Sequence, residues 1–241
     1  MIKSDNLYYF NYSKQLITSV ILLFPFIIIY EIISFFKFYD KEYIIRNSAD
    51  AILREVFTYF TFISNNYYSV LLFIFLIFVI LYHRHKILNL SIKVNFLILM
   101  LIEGFLFGFI LLFLLNDSSM IFKYDFSLSN DIILAYYLCV GAGIWEEVLF
   151  RLVLLNLFIS LISNIDIKEH TNTFISIFIV SVIFSTFHYI GQNPDMFTYY
   201  SFCIRFIGGF ILGYIYIFRG LGIASMTHFT YDLLLYVLPV I

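Results

Sequence analysis

Three short groups of polar residues interrupt otherwise apolar stretches of this 241-residue chain. The first is Gly143-Ile144-Trp145-Glu146-Glu147-Val148-Leu149-Phe150-Arg151. On a helix Glu147 and Arg151, four apart, share a face and can neutralise each other. Glu146 then sits about 100° round the helix with no charge partner of its own. An unpaired carboxylate within hydrogen-bond reach of water is a group that can act as a general base. The second group is Phe184-Ser185-Thr186-Phe187-His188, near the end of its apolar run. The third is His228-Phe229-Thr230-Tyr231-Asp232, whose spacing places an imidazole beside a carboxylate that could set its tautomer. Singly, each has a plain structural role: an ion pair, an interfacial histidine under the loop Gly191–Asp195, a polar contact between helices. Together, an unpaired glutamate and two histidines in three separate apolar segments point to a shared site.

The elements that must position these residues are membrane helices. Hydrophobic residues make up 62% of the chain and charged ones 12%, against about 45–50% and 25% in soluble domains. With 31 Phe and 20 Tyr, many helices can present bulky apolar faces and interfacial rings. The net charge of −2 carries no basic footprint for nucleic acid. Cys139 and Cys203, both in apolar runs and without a CxxC, read as buried free thiols. The run Leu16–Phe36 is too long for a signal-peptide core and reads as a retained anchor, with a kink at Pro25.

A span needs about 20 apolar residues. Leu16–Phe36, Val94–Leu115, Phe174–Ile190, Phe202–Phe218 and Ile223–Ile241 approach that length, Val70–Tyr82 is short, and Ala51–Ile63 is amphipathic enough to lie in the interface or re-enter. Ile132–Ile162 would reach about 45 Å as one helix, so a bend is expected at Gly141 and Gly143. The expected fold is all-α, a polytopic transmembrane helical bundle of seven or eight hydrophobic segments. It is read as one membrane domain, with N-terminal helices over 1–131 and the site-bearing core over 132–241. Gly104xxxGly108 and Gly209xxxGly213 mark close-packing faces. The basic loop His83–Lys93, with the anchor-like His83-Arg84-His85-Lys86, places that loop, Ser163–Thr173 and Arg219 on the cytoplasmic side. Glu103 reads either as part of the same cavity or as a helix–helix hydrogen bond, and Arg205 as snorkelling or paired with an acid.

The same residues resemble the intramembrane endopeptidases that include CAAX prenyl proteases and bacteriocin-processing or immunity proteins, the CPBP or Abi family. That family is marked by Glu-Glu-x-x-x-Arg, Phe-x-x-x-His and His-x-x-x-Asn or Asp. Here these stand, in order, as Glu146-Glu147-xxx-Arg151, Phe184-xxx-His188 and His228-xxx-Asp232, over Ile132–Ile241. The resemblance implies peptide hydrolysis without a covalent intermediate. Glu146 would activate a water with help from His188, His228 would stabilise the oxyanion, and Glu147 and Arg151 would hold the helix geometry. An ionised Asp accepts where an Asn donates, so Asp232 is read as orienting His228. The prenyl proteases carry an Asn at that place, and the departure weakens any claim that the substrate is a prenylated CAAX protein.

No cofactor is required by this reading, although zinc would suit Glu146, His188 and His228 as a donor set. The implied partners are a peptide or protein substrate and the bilayer, in the plasma (inner) membrane of a bacterium; nothing in the sequence sets the oligomeric state. Two other classes stay open, a non-catalytic membrane partner or immunity protein and a proton-coupled transporter. The latter would call for inverted repeats, and none is visible.

Overall fold

Apolar stretches of this length close their backbone hydrogen bonds internally, because hydrocarbon offers no other partner. The computed structural model describes residues 2–38, 45–62, 67–82, 93–115, 132–190 and 194–237, and every regular element among them is helical. In chain order these are α1 (Ile2–Ser13), α2 (Leu16–Phe38), α3 (Ser48–Thr61), α4 (Tyr68–Tyr82), α5 (Val94–Leu115) and α6 (Ile132–Gly141). Two π-helical stretches follow, Ala142–Glu146 and Val148–Leu155, and then α7 (Asn156–Ile162), α8 (Glu169–Phe187), α9 (Tyr199–Arg219) and α10 (Leu221–Val237).

Among the described residues four helices are long and apolar enough to cross a membrane: Leu16–Lys37, Val94–Leu115, Glu169–Phe187 and Tyr199–Arg219, with Tyr68–Val79 a shorter apolar helix. Seven or eight spans are therefore not confirmed among the described residues. The reason lies in the segments themselves. The stretch 132–162 is divided by its π-helical turns, and α3 buries Asp50 and Arg54 instead of an apolar stripe. The protein is an integral membrane protein whose outward faces carry exposed Phe75, Phe78, Phe105 and Phe113. Cys203 is also exposed on α9, which corrects the expectation of two buried thiols; Cys139 is buried, and both are free. The basic loop used for orientation falls, over 83–92, outside the described residues, as does the loop 116–131.

The core is organised on α10, whose residues Leu221 to Thr230 are all buried. A helix buried on every side needs small residues wherever neighbouring backbones come close. On α5, a Cβ at Gly104 would stand 2.5 Å from Met226 Cβ, and one at Gly108 would stand 2.8 Å from the Thr227 carbonyl. At Gly143 a Cβ would stand 2.8 Å from the backbone nitrogen of Phe229. The second small-residue face joins α9 to α8: Gly209 lies against Phe184 and Gly213 against Ile177. At Gly141–Gly143, where a bend is expected, α-helix gives way to π-helix, a transition frequent at functional sites.

Polar ties replace the hydrophobic effect, which lipid weakens as a force between helices. Glu103 on α5 accepts from Arg219 Nε and Nη2 and from Tyr9 Oη at 2.7 Å, which binds α1, α5 and the end of α9. Of the two readings of Glu103, the structure shows the interhelical one. Gly108→Ala should lower stability by about 1–3 kcal/mol through overpacking against Thr227 and Thr230. Gly208→Ala, facing only Leu115 Cδ1 at 3.2 Å, should be better tolerated; thermal unfolding in detergent measures both.

Candidate active site

The site residues come from four helical elements, and each is delivered by a local feature. Glu146 ends the first π-helical stretch and Glu147 follows it, so the two carboxylates leave the helix on different sides. Glu147 is wholly buried. Its Oε1 lies 3.0 Å from Arg151 Nη1 and 2.8 Å from His228 Nδ1. Arg151, itself 1% exposed, gives its Nη2–H to the Gly209 carbonyl at 3.2 Å and lays its guanidinium over Phe184, 4.6 Å from the ring centre. The expected Glu147–Arg151 pair is thus present, and it also reaches a histidine on α10 that spacing along one helix cannot reveal.

Glu146 faces a different set. Its Oε2 lies 4.0 Å from His188 Nε2, and its Oε1 accepts from Asn47 Nδ2 at 2.8 Å. His188 immediately follows α8, and its carbonyl accepts from the Asp195 amide at 3.0 Å. Asp195 is fixed in turn by Arg205 Nη2 at 2.6 Å, while Arg205 Nη1 donates to Tyr189 Oη at 2.8 Å, and Tyr189 and Ser201 join through their hydroxyls. Arg205 therefore pairs with an acid, one of its two sequence readings, and its place is behind His188.

His228 completes the group from α10. Its Nδ1 meets Glu147, and its Nε2 lies 3.5 Å from Asp232 Oδ2. The nearer carboxylate is Glu147, so the contact that holds the ring belongs to that residue, with Asp232 facing the opposite nitrogen. Phe184 contacts both histidines, its ring centre 5.2 Å from that of His188 and 6.0 Å from that of His228. The Phe of Phe184-xxx-His188 thereby touches both imidazoles and is the platform for Arg151. The Glu146 side chain is 7% exposed, while those of His188 and Asp232 are each 26% exposed. The open edge of the group thus lies along His188 and Asp232.

The fold therefore brings Glu146, Glu147, Arg151, His188, His228 and Asp232 into one neighbourhood. Residues 128–234 match the family described as Type II CAAX prenyl endopeptidase Rce1-like. That stretch is Rce1-like. The match begins just before α6 and ends within α10, so it contains all three motifs and bears out the resemblance they carried. Neither the curated proteins nor the solved structures give a match to this chain.

One neighbour of the site lies well outside the Rce1-like segment. Asn47 precedes α3, where Asn-Ser at the head of an amphipathic run is a readable helix start. Nothing in the sequence directs its amide to Glu146, because the two are 99 positions apart. As to metal, no three His, Cys, Asp or Glu side chains among the described residues stand as a donor cluster. His228 has both ring nitrogens turned to carboxylates, which leaves Glu146 and His188 as a pair. Arg151→Met should strand the buried Glu147 carboxylate and cost about 3–5 kcal/mol, read as a large fall in the thermal midpoint of the purified protein.

Proposed function

We propose that the protein is an intramembrane endopeptidase that hydrolyses peptide bonds with a water activated by Glu146. The observation that carries this reading is the asymmetry of Glu146. One oxygen is occupied by Asn47, and the other lies near His188 on the more open side of the group. A water between Glu146 Oε2 and His188 Nε2 would give its proton to the carboxylate as its oxygen attacks the scissile carbonyl carbon. His228 Nε2–H would donate to the oxygen that gains charge, while Nδ1–H stays committed to Glu147. The proton held by Glu146 then passes to the leaving nitrogen as the C–N bond breaks, giving an acid and an amine. In this scheme Glu147 and Arg151 set the ring of His228, and Asp232 faces its working nitrogen.

The substrate class is a peptide or protein segment at the membrane, reached in the plasma (inner) membrane of a bacterium. A carboxylate at position 232 would repel an anionic group and accept a hydrogen bond from a peptide N–H. No step in the scheme passes through a metal ion.

Glu146→Gln should reduce cleavage of a membrane-inserted reporter peptide by at least about 100-fold while the protein still folds. His228→Ala should lose cleavage as well; full activity in both variants would sink the proposal. Dialysis against a chelator should leave cleavage in place. Activity that is lost on dialysis and restored by zinc alone would recast Glu146 and His188 as ligands.

A further inference from the structure

We propose that Asn47 is a positioning residue of this site, holding Oε1 of Glu146 so that Oε2 is the oxygen left to work with His188. The working role of Oε2 rests on the endopeptidase reading; the contact at Oε1 stands on geometry alone.

Asn47 Nδ2 donates to Glu146 Oε1 at 2.8 Å, and its carboxamide has no freedom to turn. Its Oδ1 accepts the Ala49 amide at 2.9 Å and so caps α3, while its own backbone N–H donates to Tyr30 Oη at 3.2 Å. Tyr30 is fixed in turn. Its hydroxyl donates to Asp50 Oδ2 at 3.2 Å, and its ring stacks on Tyr137 with centres 4.4 Å apart and planes 6° from parallel.

Behind this lies a bracket of four charged side chains. Arg54 Nε donates to Asp50 Oδ1 at 2.7 Å and its Nη2 to Glu31 Oε1 at 2.6 Å. Arg46 spans the same two acids, giving Nη1–H to Glu31 Oε1 and Asp50 Oδ2 at 3.1 and 3.0 Å and Nη2–H to Glu31 Oε2 at 3.2 Å. Ser69 on α4 adds a hydrogen bond to Glu31 Oε2 at 2.8 Å. Two acids and two arginines sum to zero, so the bracket anchors α3 without placing net charge beside the site. It is linked to Glu146 through Asn47, which offers that carboxylate a neutral N–H.

Two features mark this contact as more than a helix cap. Gly141 lets the glutamate-bearing helix approach, since a Cβ there would stand 3.1 Å from Asn47 Cβ and 2.8 Å from Tyr30 Cε2. The choice of donor matters as well. A guanidinium would fork onto both carboxylate oxygens, whereas a carboxamide whose oxygen is already committed gives one N–H to one oxygen. The Rce1-like segment, 128–234, thus has its carboxylate held by a residue from the N-terminal half.

The test separates capping from positioning. Asn47→Asp and Asn47→Ser both keep a good cap for α3. Asp has no hydrogen to give when ionised, and Ser is an atom shorter. With ¹³C-glutamate in the full-length protein, infrared difference spectra assign the Glu146 carboxylate stretch as the band lost in Glu146→Gln. That band should shift in both Asn47 variants, while their thermal midpoints stay near that of the parent. An unmoved band, or a midpoint that falls alike in both, overturns the positioning role. On a reporter peptide, kcat should fall by about 10–100-fold with KM unchanged. If Glu146→Gln itself cleaves normally, the endopeptidase reading falls, and the infrared result still decides the contact.

Discussion

A carboxylate that is out of reach of water must find its hydrogen bonds and its counter-charge inside the protein, and Glu147 is the place where that requirement shapes this molecule. Arg151 supplies the charge from the next turn of the same helix, and His228 supplies a ring nitrogen from α10. Removing Arg151 would leave the Glu147 charge uncompensated in a low-dielectric interior, where solvation by water is not available to replace it, and removing His228 would take away its hydrogen bond across the helices. The second π-helical stretch begins directly after this residue, and α10 lies against the same turn with glycine at the contact. The position of His228, and through it the access of Asp232, follows from this single buried group.

The same constraint recurs away from the site. Glu103 with Arg219 and Tyr9, Glu31 and Asp50 with Arg46 and Arg54, and Asp195 with Arg205 are separate solutions to the same problem. The first ties helices distant in sequence, the second joins α2 to α3, and the third fixes the stretch before α9 to that helix, each where apolar burial alone is a weak guide to which face meets which. In a bilayer the outward faces gain nothing by packing on one another, so orientation depends on charges that must pair and on glycines that let backbones meet. The three tyrosines Tyr9, Tyr30 and Tyr189 all serve these networks, with the ring packed and the hydroxyl used.

The division of labour between the two glutamates follows from their surroundings. Glu147 holds Arg151 and His228 at a single oxygen, Oε1, and serves structure; Glu146 has one neutral donor and one imidazole within 4.0 Å. Adjacent on the chain, they turn to different neighbours because successive residues on any helix do. The helix is π-helical on either side of Glu147, and Gly141 and Gly143 set its approach to α3 and α10. A straight α-helix of ordinary residues could not come as close to both.

Composition alone established a membrane protein, because 62% hydrophobic residues with 12% charged cannot be covered by a water-facing surface. Spacing along single helices made Glu147–Arg151 and His228–Asp232 visible, and the order of the three motifs pointed to the family that 128–234 matches. The glycine pairs at 104/108 and 209/213 were legible for the same reason, since contacts four apart lie on one face. What spans several helices was not. The Glu147–His228 contact, the packing of Phe184 on His228 and the reach of Asn47 to Glu146 join residues 81, 44 and 99 positions apart. The count of spans was also beyond reach, because apolar length shows what lipid can accept and not where a helix changes its winding or buries an ion pair. Those choices belong to the tertiary structure, where each unpaired charge settles on whichever partner the packing brings within a hydrogen bond.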